Sequence, residues 1–139
     1  MLSAILVALV VGAALFAWPR RLLAPLGVAG AAPVGIRLVP PGIRVRVEVL
    51  NATDTRGLAR RTMFVLRDAG FDVVFYGTTG ERKDSTTVLD RTGHSAWGDL
   101  VLRAMGGGRV TESPDSSRYV DLTVLVGRNW TPPSVPLYP

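Results

Sequence analysis

The stretch VRVEVLNATDTRGLARR, Val45 to Arg61, decides how this chain folds. Apolar and polar residues alternate up to Leu50, a polar segment starts at Asn51, and helix-like spacing starts at Gly57. A period of two puts successive side chains on opposite faces of a strand, whereas a period near 3.6 marks one face of a helix. Ile43, Val45, Val47 and Val49 therefore share the inner face of a first strand, and Arg44, Arg46 and Glu48 share its outer face. A strand, a short loop and a helix can cradle a phosphate, or they can be a connection. A cradle needs backbone N–H groups brought close by glycines and no carboxylate in the way. Here Ala52 and Asp54 occupy the loop, and Asp54 would repel an anion. The loop reads as a connection. Asn51 closes the strand, Asp54 or Thr55 caps the helix, and Gly57 lets its first turn pack closely on the sheet.

Further along, Leu58, Thr62, Val65, Leu66 and Ala69 recur at helical spacing, and Gly70 is placed to end that helix. Phe71 to Tyr76 is rich in β-formers, GTTGERKD reads as a turn, and Thr86 to Leu89 reads as a short strand. Ser95 is placed to cap a second helix with Ala96, Trp97, Leu100, Val101, Ala104 and Met105 as its apolar stripe. Arg109 to Thr111 is a brief further strand, and Tyr119 to Val126 alternates with Val120, Leu122, Val124 and Val126 inward. The order β-α-β-β-α-(β)-β predicts an α+β two-layer sandwich over residues 43–130. A split βαβ arrangement related to the ferredoxin-like fold, with the first strand interior, is the expected topology. Helices cover one sheet face, so the face bearing Arg44, Arg46 and Glu48 is expected to be open to solvent. Val47, Val49, Leu66, Leu100, Leu122 and Val124 are the expected core.

Toward the N-terminus, Leu2 to Trp18 carries no charge, and Pro19, Arg20 and Arg21 end the apolar run. Its length is at the lower edge of what crosses a hydrocarbon core of about 30 Å, so residues 1–22 read as a single-pass membrane anchor. A cleaved signal peptide is the alternative, although the A-x-A-like site at Ala29 to Ala31 lies well beyond the apolar run. Arg20 and Arg21 on the C-terminal side argue for a cytoplasmic domain by the positive-inside rule. Residues 23–42, rich in Pro, Gly and Ala, read as a linker, and 131–139 as a Pro-rich tail.

Composition narrows the chemistry. Cysteine is absent, which excludes disulfides, thiolate metal sites and a Cys nucleophile. The 16 basic residues outnumber 11 acidic ones, but the charges are interspersed and no helix is dense in Lys and Arg, so nucleic acid is disfavoured. His94 is the only histidine and reads as a solvated loop residue. Asp90-Arg91 reads as a turn-fixing pair. No nucleophile elbow is present, and nothing in the spacing of Asp84, Asp90, Asp99 and Asp115 favours a two-carboxylate glycosidase pair. No catalytic residues, metal or cofactor are therefore expected. Trp97 belongs to the core stripe of the second helix, and Trp130 closes the domain after the last strand.

Five segments in order, VEVLNATDTRGLARR, LRDAGFDVV, TTVLDRTG, RAMGGGRV and SPDSSRYVDLTVLVGRNW, resemble the LytR C-terminal domain family over about Arg44 to Trp130. Such domains often follow the catalytic domain of LytR-CpsA-Psr proteins, which attach glycopolymers to the bacterial cell wall, and they also stand alone behind one membrane anchor. The family tends to have glycines where this chain has Ala52 and Asp54. The resemblance implies a non-catalytic, extracytoplasmic domain that binds or scaffolds cell-wall glycopolymer or peptidoglycan, against the orientation that Arg20 and Arg21 favour. Arg44, Arg46 and Glu48 are the candidate polymer contacts. A protein–protein adaptor at the membrane, on either side, is the alternative.

Overall fold

The computed structural model describes residues 35–133. The expected anchor over 1–22, the linker up to residue 34 and the tail from residue 134 lie outside the described residues. No helix among the described residues is long and apolar enough to cross a membrane.

The alternating run becomes strand β1, Arg46–Asn51, and the helical run becomes α1, Leu58–Asp68. Then follow β2, Asp72–Thr78; β3, Thr87–Asp90; α2, Ser95–Met105; β4, Arg109–Glu112; and β5, Leu122–Val126. The strands form one mixed sheet in the order β2-β1-β5-β3-β4. β1 pairs in parallel with both β2 and β5, β3 pairs in parallel with β4, and β3 runs antiparallel to β5. The helices touch one another on one face of the sheet. This is the expected α+β two-layer sandwich, with β1 interior.

The split βαβ topology is not what forms. Each helix joins directly adjacent parallel strands, β1-α1-β2 and β3-α2-β4, and β5 enters between the two units. The difference lies in the run GTTGERKD. It does not turn back as a hairpin but crosses the ends of β1 and β5, a span of three strand spacings or roughly 14 Å. Thr79 and Lys83 donate N–H bonds to the carbonyls of Asn51 and Ala52, and the Lys83 and Asp84 carbonyls accept from the N–H groups of Arg128 and Asn129. The crossing runs so close to the end of β5 that a Cβ on Gly127 would lie 2.3 Å from the carbonyl carbon of Ser85. Only glycine fits there.

Val45, Val47 and Val49 are fully buried beneath the helices with Leu66, Val88, Leu122, Val124 and Val126. Two expectations shift. Ile43 is exposed and Leu100 only half-buried, because β1 begins at Arg46 and Leu100 sits on the flank of α2. Val39, placed by sequence in the linker, is 1% exposed and part of the core. The N–H groups of Leu38 and Val39 both donate to the Ala69 carbonyl, so this segment seals the end of α1.

Candidate functional site

Strand registers map the helix-free face row by row. One row runs Phe75, Glu48, Thr123, Leu89, Thr111, and the next runs Gly77, Leu50, Leu125, Thr87, Arg109. This face is not uniformly open. Thr123 is fully buried, and Leu125 and Glu48 nearly so. Two arginines from outside the β1–β5 pair lie across its centre. Arg118, from the connection between β4 and β5, donates to both Glu48 carboxylate oxygens at 3.0 and 3.1 Å, and Arg91 donates to the Thr123 hydroxyl at 3.1 Å. The Thr123 hydroxyl in turn donates to Glu48 Oε2. Arg91 also reaches the backbone carbonyl and hydroxyl oxygens of Ser113.

All three sequence candidates lie on this face, and each is already paired. Arg44 donates to Asp72 at 2.6 Å and is 74% exposed. Arg46 spans the Asp121 carboxylate, which also accepts the Arg46 backbone N–H at 2.8 Å and is itself mostly buried. Glu48 is the anchor for Arg118. An exposed pair contributes little and exchanges partners readily, whereas removing one member of a largely buried pair strands the other. Arg44 thus remains available to a ligand, while Arg46 and Glu48 hold the fold.

Asp115 orders the turn that carries Arg118. Its carboxylate accepts from the hydroxyl and N–H of Ser117, and these bonds, with Arg91 and Arg118 nearby, hold its pKa below the ordinary 3.8. Tyr119 next to Arg118 is 80% exposed and holds a left-handed backbone with φ 54°, the one non-glycine among the described residues to do so.

The loop after β1 is closed from within. Asn51 is buried; its Oδ1 accepts from the N–H and hydroxyl of Thr53, and its Nδ2 donates to the Thr55 carbonyl at 2.7 Å. The Thr53 and Thr55 N–H groups that a phosphate would need are thus taken up within the loop, by Asn51 Oδ1 and the Thr53 hydroxyl. Neither Asp54 nor Thr55 caps α1. The N-cap position is Gly57, with φ 83° and no side-chain cap, and Asp54 reaches out to Arg82 at 2.9 Å. Gly57 is required for its left-handed backbone and not for close packing, since a Cβ there would meet nothing within 4 Å.

The entry to α2 has a similar arrangement. Ser95 makes no cap; instead Asp90, 1% exposed, accepts the N–H groups of Thr92, Gly93 and His94 on Oδ1. Asp90 is thus not paired with Arg91. His94 is exposed and stacks on Trp97 with ring centroids 3.9 Å apart. Among the described residues no cluster of His, Asp and Glu could hold a metal ion.

Sequence reasoning missed an open depression of about 400 Å³ where the β2–β3 crossing meets β3 and β4. Its residues come from segments that only the sheet order brings together, and the single local signal was the basic pair Arg82-Lys83.

A family model described as "LytR cell envelope-related transcriptional attenuator" matches residues 44–130. Among solved structures, the solution structure of the C-terminal domain of RV0431 is 30% identical, with 70% of this chain and 83% of that chain covered and a TM-score of 0.41. No curated protein matches.

Proposed function

Since the chain belongs to the LytR C-terminal domain family, we propose that it is a non-catalytic cell-envelope domain that binds or scaffolds an anionic cell-wall polymer through the helix-free face of its sheet. The observation that carries the reading is that Arg44 and Arg109 are exposed on that face, Arg44 in a solvent-exposed pair and Arg109 in none among the described residues, while Arg46, Arg91 and Arg118 beside them are tied to the fold. Guanidinium groups bind phosphate and carboxylate oxygens through paired N–H donors, so a polymer with repeating anions can engage several weak sites at once. Membrane anchoring through residues 1–22 would hold the domain at the wall, with the linker supplying reach.

Sedimentation with purified sacculi tests the reading. The chain should co-sediment, and binding should weaken as salt rises, because exposed charges are screened over about 10 Å at 0.1 M. Arg44→Glu should weaken it. A chain that stays in the supernatant at low salt would refute polymer binding.

One observation favours the adaptor reading. β2 is an edge strand on which Val74, Phe75 and Tyr76 are all about half exposed, and apolar edges of this kind suit pairing with another protein chain. Tyr76→Lys, at the register partner of the inward-facing Val49 and so off the helix-free face, would disrupt such a contact and leave sacculus binding intact, which separates the two readings.

A further inference from the structure

We propose that the depression beside β4 is an anion subsite in which Arg109 takes a phosphate ester of a hydroxyl-rich polymer. The inference rests on the polymer-binding reading above and assigns it a residue and a ligand group.

The wall of the depression is formed by Lys83, Ser85, Thr87, Leu89, Arg109 and Thr111, with Arg82 and Asp84 at the crossing. Most of its charges are already answered. Arg82 pairs with Asp54, Lys83 with Glu81, and Asp84 with Arg128. Asp84, the one carboxylate in the wall, is 82% exposed and neutralised by a cation outside it. Arg109 differs. No carboxylate among the described residues lies within 4.0 Å of its guanidinium. Its backbone is fixed all the same, because its N–H donates to the Thr86 carbonyl at 3.0 Å and its strand is registered against β3. The result is an exposed cation rooted on a fixed strand, with its side-chain donors unspent.

Its surroundings suit a phosphorylated sugar or polyol. Thr87 is the register partner of Arg109, and Thr111 lies two residues along on the same face. Thr87 is buried and its hydroxyl donates to the Ser85 carbonyl at 3.4 Å, so Thr111 is the hydroxyl left for a ligand. Leu89, the partner of Thr111, adds an aliphatic patch for ligand C–H groups. A guanidinium fork matches two phosphate oxygens, and the Thr111 hydroxyl can donate to or accept from ligand hydroxyls. Arg82 and Lys83 reinforce the positive potential, since their partners Asp54 and Glu81 are mostly exposed and their pairs weak. No lining residue is aromatic, so the recess offers no platform for stacking nucleobases. An uncharged glycan would leave the guanidinium unused.

The test uses the full chain in mild detergent, sedimented with sacculi that retain phosphate-linked polymer or have been stripped of it by acid. Wild type should bind the retained form and lose binding to the stripped form. Arg109→Glu should weaken apparent affinity about tenfold, the size of one charge-assisted contact. Arg109→Lys, which keeps the charge but not the fork, should fall between. Arg103→Glu, the same charge change on exposed α2, should bind like wild type. An amide spectrum of Arg109→Glu with wild-type dispersion excludes misfolding as the cause. If Arg109→Glu binds like wild type, or Arg103→Glu loses as much, the subsite is wrong while polymer binding stands. Equal binding to both sacculus forms overturns the phosphate assignment. Should wild type bind neither form, polymer binding itself fails, and the subsite with it.

Discussion

Asn51 and Asp54 sit three residues apart, yet the structure gives them very different weight. Asn51 is buried and makes three hydrogen bonds that hold the loop, so Asn51→Ala leaves buried backbone groups unpaired. It should cost about 1–3 kcal/mol in denaturant unfolding. Asp54 makes one solvent-exposed ion pair, and Asp54→Ala should change stability by less than about 0.5 kcal/mol. A helix cap would have cost more, but the cap position belongs to Gly57. The polar run NATDT was readable as a closed connection, whereas the identity of the residue that closes it depended on how deep each side chain sits. Asp115 supplies a pH-dependent readout. Its pKa is lowered chiefly by the Ser117 hydroxyl, so the order it imparts is present above 3.8 and is lost as pH falls through the still lower folded value. A carboxyl titration by NMR should show this midpoint below 3.8, and Ser117→Ala should raise it.

At the scale of elements, periodicity located both helices and the first and last strands, and short β-forming runs located the other three, because each pattern is written in neighbouring residues. Leu122 on β5 has no exposed surface, and Leu122→Ala should cost about 2–5 kcal/mol. Leu100→Ala, on the half-buried flank of α2, should cost clearly less; equal losses in thermal or denaturant melting would contradict the observed rotation of that helix. The crossing after β2 gives a sharper test. Gly127→Ala pushes a methyl group into the Ser85 backbone and should destabilise by about 1–3 kcal/mol, as overpacking does, or more where backbone cannot yield. A hairpin at GTTGERKD would have left Gly127 free to change.

For the whole molecule, the charges of the helix-free face and the apolar edge of β2 support partners of different chemistry, and sacculus sedimentation separates them. Topology is the other open proposal. A reporter active only outside the cytoplasm, fused after Pro139, should be active if residues 43–130 face the wall. Activity confined to a cytoplasm-dependent reporter would instead support the orientation that Arg20 and Arg21 favour.

The sequence by itself determined the elements, most of their inward-facing residues and the family, since alternation, helical spacing and an ordered set of short segments are local properties. Strand order was left to tertiary structure, because GTTGERKD has the composition of a turn whether it reverses or crosses. The same holds for the charged face. Arg44, Arg46 and Glu48 look like a free outer row in sequence, but their partners lie 28, 75 and 70 residues away. Arg109 is the converse case, an ordinary strand residue that becomes the unpaired cation of a recess. Which charge is spent and which is free depends on segments distant in the chain meeting across the sheet, and only the packed fold brings them within hydrogen-bond reach.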